Sequence, residues 1–364
     1  MVEISFIMVS AFFSFLLGIG AYIMYPLCRQ DVLITMLIGS IVTYPIFKIT
    51  RYIIKNNYYE DIFEFNKSIK IIGNILNILL FVGLSSIAIF LLYNVADFLN
   101  IEYFSESSVG FTKLLVLIPI FYVLSKDIKC ILKMNQIIAI ICIIILVIDF
   151  LGVMHNIDFT NLEPVLSTSI PNLLKSLLYF AVLNGTGVAM CALVGRKDIK
   201  EEDRRIDKIL IIFYIISNIV QVIIIGSVVL TQGIDYVLLF RFPEYIALKQ
   251  FSFLSIFERI ENLLALQFYF NTISILSFLI YYIVKLIPNS KKIKIYPFFV
   301  LLIMYYLTSI IFKNTVYFIT YIQRYIISIS FFTIIVPIFI DYIILHKKVN
   351  KSALKCCKNA QKVV

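Results

Sequence analysis

Residues 71–95 have the sequence IIGNILNILLFVGLSSIAIFLLYNV, which contains no charged side chain. About 20 apolar residues in a helix are enough to cross the hydrocarbon core of a bilayer, and this stretch exceeds that length. Its apolar residues are continuous, whereas a strand of a membrane barrel would alternate apolar and polar residues. The stretch therefore predicts a transmembrane helix.

Similar stretches recur along the whole chain of 364 residues, which is 61% hydrophobic and only 15% charged. About a quarter of the residues in a soluble domain are charged, so this composition requires an apolar solvent. We predict an all-α integral membrane protein with ten transmembrane helices, at residues 4–27, 32–54, 71–95, 113–124, 137–154, 170–194, 209–230, 262–286, 295–312 and 316–345. They form a single transmembrane domain, 1–345, and a basic cytoplasmic tail follows at 346–364.

The basic residues support this number of helices. If the N-terminus is cytoplasmic, 24 of the 32 Lys and Arg residues fall in the inner loops or in the tail. Positive charge in short loops marks the cytoplasmic side, so we predict a multi-pass membrane protein with both termini inside. The formal net charge of +10 then follows from the orientation in the lipid bilayer, and no nucleic-acid partner is expected.

Closely spaced glycines interrupt two of the predicted helices. They are Gly18-Ile19-Gly20 in the first helix and Asn184-Gly185-Thr186-Gly187 in the sixth. Each internal glycine costs about 1 kcal/mol relative to alanine, so local unwinding is cheap at both places. Unwound backbone at membrane depth must face a cavity or a ligand, and the positive end of a half-helix can receive an anionic group. The alternative is that the glycines only permit close helix packing.

The first and sixth helices occupy equivalent places in two halves of five helices, at about 4–154 and 170–345. Because five is odd, the two halves have opposite orientations in the membrane. We therefore predict a 5+5 inverted repeat of the amino-acid-transporter type, with broken helices 1 and 6 around a site at the midplane. The halves share no visible sequence identity, so the repeat rests on helix count and glycine placement.

Other polar residues inside the predicted helices extend the expected ligand site. We include Tyr93, Asn271 and Thr272, although each could instead only hydrogen-bond to a neighbouring helix. Asp149 and Arg324 lie in the outer parts of their helices. For these two residues a mutual ion pair, or snorkelling to the interface, is the simplest expectation.

The longest predicted outer connection, 232–259, mixes aromatic and charged residues. It predicts a helix or hairpin at the membrane interface, where aromatic rings settle, with a lid over an outward-facing cavity as the alternative.

The sequence offers no enzyme chemistry. Its two histidines, His155 and His346, both lie at the ends of predicted helices. Sequence motifs of metalloproteases, serine hydrolases and phosphate loops are absent, as is any cysteine–histidine cluster. We therefore predict that the protein is not an enzyme, with no catalytic residue, no metal site and no cofactor.

Three segments resemble a known family. Residues 161–166, NLEPVL, precede the sixth helix, and residues 242–245, FPEY, and 256–261, IFERIE, precede the eighth. With the first glycine motif and the Pro26 that follows it, they resemble the spore germination permease family. That family comprises the B subunits of nutrient germinant receptors, within the amino acid–polyamine–organocation superfamily.

The resemblance implies a transporter-like fold with a sensing role in sporulating bacteria. Such a B subunit would bind a small nutrient germinant, an amino acid or similar molecule, beside A and C subunits in the spore inner membrane. Glu258, Arg259 and Glu261 would serve gating or subunit contact, or would form only a solvated ion-pair cluster. Two alternatives stay open: a proton- or sodium-coupled amino-acid transporter of the same fold, and a structural scaffold for partner subunits.

Overall fold

The computed structural model describes residues 2–15, 21–195, 203–249, 259–287 and 295–360. All the extended regular elements within these ranges are helices, and an isolated bridge joins Asp61 to Val194. The α-helices are α1 (Val2–Phe15), α2 (Ala21–Cys28), α3 (Val32–Asn56), α4 (Ile62–Lys67), α5 (Ile71–Glu102), α6 (Val109–Leu124), α7 (Ile128–Met154), α8 (Ile170–Met190), α9 (Asp203–Gln232), α10 (Ile234–Val237), α11 (Pro243–Lys249), α12 (Glu261–Leu286), α13 (Tyr296–Ile311), α14 (Thr315–Tyr321), α15 (Ile327–Ser330) and α16 (Val336–Ala360).

Seven candidate membrane spans are long and apolar enough to cross a bilayer within the described ranges. They are Ile23–Asn56, Ile71–Glu102, Ile128–Met154, Ile170–Leu193, Arg205–Gln232, Glu261–Leu286 and Thr315–Asn350. Three shorter apolar helices accompany them, namely α1, α6 and α13. The chain is therefore an all-helical, multi-pass membrane protein.

The bundle has an enclosed centre and an apolar exterior. Helix α8 packs against α1, α2 and α3, while α12 packs against α1, α5 and α7. The outer faces of α3, α6, α7 and α13 expose large apolar side chains, among them Ile41, Ile118, Ile144 and Ile310. Such a surface would aggregate in water, and it is stable when lipid covers it.

The predicted unwinding of the sixth helix at residues 184–187 is wrong. Helix α8 stays α-helical to Met190 and ends in a 3₁₀ turn at Cys191–Leu193. The two glycines instead allow close packing: a Cβ on Gly187 would lie 2.9 Å from Cε1 of Phe12, and one on Gly185 would lie 2.6 Å from Cδ1 of Ile46. Packing against neighbouring helices thus explains these glycines, and it keeps the backbone hydrogen bonds of α8 intact.

The first glycine motif, Gly18-Ile19-Gly20, lies outside the described residues, as does Glu258. Helix α1 ends at Phe15 on one side of that motif, and α2 starts at Ala21 on the other.

The connection between α7 and α8 is fastened at two points. The carboxylate of Asp31 accepts hydrogen bonds from the backbone N–H groups of Leu166, at 2.6 Å, and Thr168, at 3.0 Å. The side-chain amide of Asn161 donates to the carbonyl of Leu230 at 2.8 Å. The segment 161–166 therefore joins the start of α3 to the end of α9.

The described part of the connection 232–259 contains two short helices, α10 and α11. Pro243, Glu244 and Tyr245 of α11 are all buried. Helix α11 therefore packs against the longer helices α7, α9 and α12.

We expect Gly187→Ala to lower the melting temperature of the purified protein. The new methyl group meets Phe12 and Ala11 at 2.9 and 3.2 Å, and overpacking of this kind costs about 1–3 kcal/mol. Gly226→Ala is the matched control, because its Cβ would meet Leu33 at 3.4 Å, an ordinary contact. The melting temperatures of both variants and of the wild-type chain are measured by thermal unfolding in detergent. A Gly187→Ala protein that melts no lower than the Gly226→Ala protein would contradict the packing role of Gly187.

Candidate functional site

A small central cavity lies between α1, α2, α8 and α9. Its volume is about 10 Å³, and its lining consists of Phe12, Phe15, Met24, Phe180, Leu183, Asn184 and Gln221. Two amide side chains are thus the polar members of an otherwise apolar wall. An apolar pocket with a few convergent polar groups is the usual form of a small-molecule site.

The amide of Asn184 is the centre of a buried polar network. Its nitrogen donates to Oγ1 of Thr43 and to Oδ1 of Asn218, both at 3.1 Å, and its oxygen accepts from Nε2 of Gln221 at 3.4 Å. The Thr43 hydroxyl in turn pairs with the Tyr214 hydroxyl at 2.8 Å. This network joins α3, α8 and α9 behind the cavity, so a ligand that competes for Asn184 would affect three helices.

The other described residues of the predicted α8 motif have packing roles. Thr186 donates its hydroxyl hydrogen to the carbonyl of Val182 at 2.7 Å, one turn earlier in α8. Gly185 and Gly187 contact α3 and α1, as described above.

Asn271 of α12 reaches the last turns of α1. Its nitrogen donates to the carbonyl of Ser10 at 2.6 Å and to the hydroxyl of Ser14 at 2.8 Å. Within the described ranges, no hydrogen-bond partner is found for the buried amide oxygen of Asn271 or for the buried hydroxyl of the neighbouring Thr272. Leaving such groups unpaired is costly, so they are candidates for ligand contact.

Tyr93 lies elsewhere. Its ring packs against those of Phe312 and Phe318, with centroids 5.0 and 4.7 Å away, and the Lys113 ammonium lies 5.5 Å from it. The structure therefore brings Tyr93 together with the ends of the ninth and tenth predicted helices and not with the lining of the central cavity.

The two described residues of the predicted gating set, Arg259 and Glu261, lie at the start of α12. Glu261 is buried in its first turn, whereas Arg259, just before the helix, is exposed. The hydroxyl of Tyr103, which follows α5, donates to Oδ1 of Asn262 at 2.7 Å and fixes this end of the bundle.

A buried ion pair joins helices near this end, and we call it the Arg241 latch (Asp97, Arg241 and Thr315). Arg241 forms a salt bridge with Asp97 of α5 and donates to the Thr315 hydroxyl at 3.1 Å. The Arg241 guanidinium also lies over the rings of Phe242 and Phe318 at 5.2 and 5.3 Å. The latch thus ties the loop before α11 to α5 and α14.

A second ion-pair cluster lies at the opposite end of α12, and we call it the Lys285 latch (Glu60, Asp61 and Lys285). The Lys285 ammonium pairs with Glu60 at 2.9 Å and with Asp61. Asp61 also caps α4, and its backbone bridges to Val194, just after the 3₁₀ turn that ends α8. This latch therefore joins the ends of α8 and α12 to the connection between α3 and α4.

Neither latch was predicted from the sequence. The available signals were a carboxylate, Asp97, directly after a long uncharged stretch, and Arg241, one of few basic residues outside the predicted inner loops. Sequence spacing cannot show that residues more than a hundred positions apart form a pair. Within the described ranges, no group of three or more His, Cys, Asp or Glu side chains is arranged to hold a metal ion.

The family and the fold that match this chain are those of permeases and transporters, not of enzymes. A family model described as spore germination protein matches residues 3–317. The chain belongs to this spore germination permease family, as the resemblance of its motifs predicted.

A solved structure with a similar fold is that of a Na⁺-coupled sialic acid symporter in a substrate-bound outward-open state. The TM-score is 0.59 at 12% sequence identity, over 91% of this chain and 78% of that chain. At this identity the likeness concerns the fold alone, and it is consistent with the amino acid–polyamine–organocation superfamily. No curated protein matches the chain.

We expect Lys285→Gln to destabilise the protein strongly. It would leave the buried carboxylate of Asp61 without its cation, and removing one partner of a buried ion pair costs about 3–5 kcal/mol. Adding Asp61→Asn to that variant should recover much of the loss, because the uncompensated charge is then gone.

Thermal unfolding of the single and double variants checks this expectation. Lys126→Gln is the control, since Lys126 is exposed and its ammonium lies over the ring of the exposed Tyr122. A double variant no more stable than Lys285→Gln would contradict the ion-pair account.

Proposed function

We propose that this protein is the B subunit of a nutrient germinant receptor, which binds a small nutrient in the central cavity and signals germination. The nutrient is an amino acid or a molecule of similar size. The observation that carries the proposal is the buried Asn184 network, which places hydrogen-bonding amides at an enclosed cavity between α1 and α8. Membership of the spore germination permease family supports the signalling role.

We further infer ten transmembrane helices in two inverted halves of five, with both termini in the cytoplasm. Helices α1 and α2, on either side of the first glycine motif, make up the first of them. The seven long candidate spans, one of which includes α2, together with α1, α6 and α13, supply the rest. In this orientation the Arg241 latch lies on the outer side of the membrane, and the Lys285 latch lies on the cytoplasmic side.

In this proposal the structure is a closed state, because its central cavity is too small for a nutrient. A volume of about 10 Å³ holds no more than about one water molecule, so a nutrient requires expansion of the cavity. Both latches are formed, so access from either side requires breaking a buried ion pair. A nutrient that binds only the expanded form would shift the population towards it.

The shift would reach partner subunits through the helices that the ligand contacts. The Asn184 network connects α8 to α3 and α9, and Asn271 connects α12 to α1. Arg259 and Glu261, at the start of α12, are in position to transmit a change at Asn271 to the end of the bundle. We propose that receptor A and C subunits contact this protein in the spore inner membrane.

Binding of radiolabelled amino acids to the purified protein, tested as a panel of the twenty, checks the site. We expect saturable binding of at least one, and Asn184→Leu should weaken it about tenfold or more, the loss expected from about 1.4 kcal/mol of hydrogen bonding. Asn74→Leu is the matched control, because Asn74 is exposed on α5. Unchanged affinity in a monodisperse Asn184→Leu protein would overturn the site assignment.

The second candidate function is a proton- or sodium-coupled amino-acid transporter, which the likeness of the fold to a symporter favours. Uptake of the bound amino acid into proteoliposomes separates the two. A receptor is expected to show no accumulation when a proton or sodium gradient is applied, whereas saturable, gradient-driven accumulation would establish transport. A scaffold without a ligand would bind none of the amino acids, and Asn184→Leu would affect only assembly with partner subunits.

A further inference from the structure

Besides the central cavity, the structure has an enclosed pocket and an open cleft. The pocket, of about 30 Å³, has Asp149 of α7 and Glu244 of α11 in its lining. The ion pair expected between Asp149 and Arg324 does not form, since Arg324 is exposed in the π-helical segment after α14. The cleft is much larger, about 530 Å³, which is within the range of small-molecule sites.

The cleft follows the second half of α3, near the end of the bundle that carries the Lys285 latch. We call it the basic cleft, after its three basic side chains and three tyrosines, which are Lys48, Arg51, Lys55, Tyr44, Tyr52 and Tyr342. None of these six side chains is buried, so the cleft is open to the surface of the bundle.

The basic cleft contains more positive than negative charge. Nε of Arg51 lies 3.0 Å from one oxygen of the Asp207 carboxylate, and Nζ of Lys55 lies 2.9 Å from the other oxygen. The ammonium of Lys48 lies over the Tyr44 ring at 4.9 Å and has no carboxylate partner among the residues that the structure describes. Three cations therefore face one carboxylate, and an anion from outside the chain is needed to balance the rest.

The three cations are within reach of one ligand. Arg51 and Lys55 both contact a single carboxylate, which shows that their nitrogens converge. Lys48 precedes Arg51 by three residues, and side chains at this spacing are neighbours on a helix, with about 5–6 Å between their Cβ atoms. A phosphate group between Lys48 and Arg51 is therefore able to contact both, while Asp207 keeps Lys55 as its partner.

The exposed face of α3 changes from apolar to basic along the helix. Leu37 and Ile41 are 55% and 73% exposed, Tyr44 follows at 39%, and the exposed Lys48 comes one turn later. Residues three or four apart lie on one face of a helix, so these four form one stripe. The lipid-covered surface thus leads into the basic cleft past a tyrosine, and tyrosines are enriched at the level of the lipid headgroups.

The other wall of the basic cleft is formed by α16. The rings of Tyr52 and Tyr342 meet edge to face with centroids 5.0 Å apart, and the Tyr52 hydroxyl pairs with Nδ1 of His346 at 3.0 Å. These contacts hold α16 against α3. The cleft is therefore a gap between two packed helices and not a set of basic residues on a loop.

We propose that the basic cleft binds the phosphate headgroup of one anionic phospholipid, whose acyl chains lie along the apolar stripe of α3. Basic pockets between membrane helices bind lipid headgroups of this kind. A soluble phosphate would use the cations and leave the adjoining apolar stripe unused. An acidic protein segment would match the cations but not an apolar surface that lipid covers, whereas a phospholipid matches both parts.

A lipid in the basic cleft would contact the helix that supports the Asn184 network. Tyr44 follows Thr43, which belongs to that network, and the Tyr44 ring lies 6.2 Å from that of Tyr214. The lipid site does not depend on nutrient binding, because it would be occupied whether the protein senses a nutrient, transports one or does neither. A failure of nutrient binding at Asn184 would leave this inference standing, and the reverse also holds.

The test is native mass spectrometry of the delipidated full chain in detergent, titrated with phosphatidylglycerol or with phosphatidylcholine of the same acyl chains. Phosphatidylglycerol carries a net negative charge and phosphatidylcholine carries none. We expect saturable binding of one phosphatidylglycerol, about tenfold or more tighter than that of phosphatidylcholine. Inorganic phosphate at an equal concentration should not displace it, because phosphate has no acyl chains.

Lys48→Gln combined with Arg51→Gln should weaken phosphatidylglycerol binding about tenfold or more and leave phosphatidylcholine binding unchanged. This double variant leaves Asp207 paired with Lys55, so no carboxylate loses its last cation. Lys126→Gln combined with Lys133→Gln is the matched control, because it removes the same charge from two exposed lysines on a predicted inner loop. We expect the control to bind phosphatidylglycerol as the wild-type chain does.

Three outcomes would overturn the proposal. Equal affinity for the two lipids would mean that the charge of the headgroup is not recognised. Displacement of phosphatidylglycerol by an equal concentration of inorganic phosphate would make the cleft a site for soluble anions. An equal loss of affinity in both double variants would mean a general attraction between basic residues and anionic lipid.

A crosslinking experiment on the wild-type chain covers the case in which the double variant does not fold. The probe is phosphatidylglycerol with a photoactivatable diazirine near the start of one acyl chain, and mass spectrometry locates its adducts. We expect adducts within residues 37–44 that excess phosphatidylglycerol suppresses severalfold and phosphatidylcholine does not. Adducts spread evenly over the exposed faces of α3, α6, α7 and α13 would contradict a lipid site at this place.

Discussion

The structure depends on one constraint, which is that a polar group inside a membrane protein has no water to pair with. An unpaired buried polar group costs several kcal/mol, so helices satisfy their own backbone and buried side chains pair with each other. The Asn184 network and the two latches meet this requirement with hydrogen bonds and ion pairs between helices distant in sequence. Asn271, Thr272, Asp149 and Glu244 are among the groups for which the described part of the chain supplies no hydrogen-bond partner to a buried oxygen.

The same constraint applies to the two latches. Each latch is a buried ion pair, and removing one partner would leave an uncompensated buried charge. The two latches lie at opposite ends of α12, and both are formed here. The similar symporter structure is described as outward-open, whereas the central cavity of this chain has a volume of about 10 Å³.

Some of the site was predictable and some was not. Asn184 and Asn271 could be selected because an amide inside an apolar helix is uncommon; Asn184 pairs with α3 and α9, and Asn271 pairs with α1. Tyr93 belonged to the same pattern but lies against Phe312 and Phe318, since the pattern of one helix does not show which neighbour each of its faces meets. The glycines of α8 were ambiguous for a related reason: unwinding and close packing favour the same residue.

The sequence by itself determined that this protein is a bundle of membrane helices, because continuous apolar stretches of this length are stable only in lipid. It also determined the family, through short motifs that need no knowledge of contacts. Only the tertiary structure decided that α8 continues through Gly185 and Gly187, that Arg241 meets Asp97, and that Asp149 and Glu244 share one cavity. Those facts depend on pairs of residues far apart in the chain, whose proximity is set by how whole helices pack.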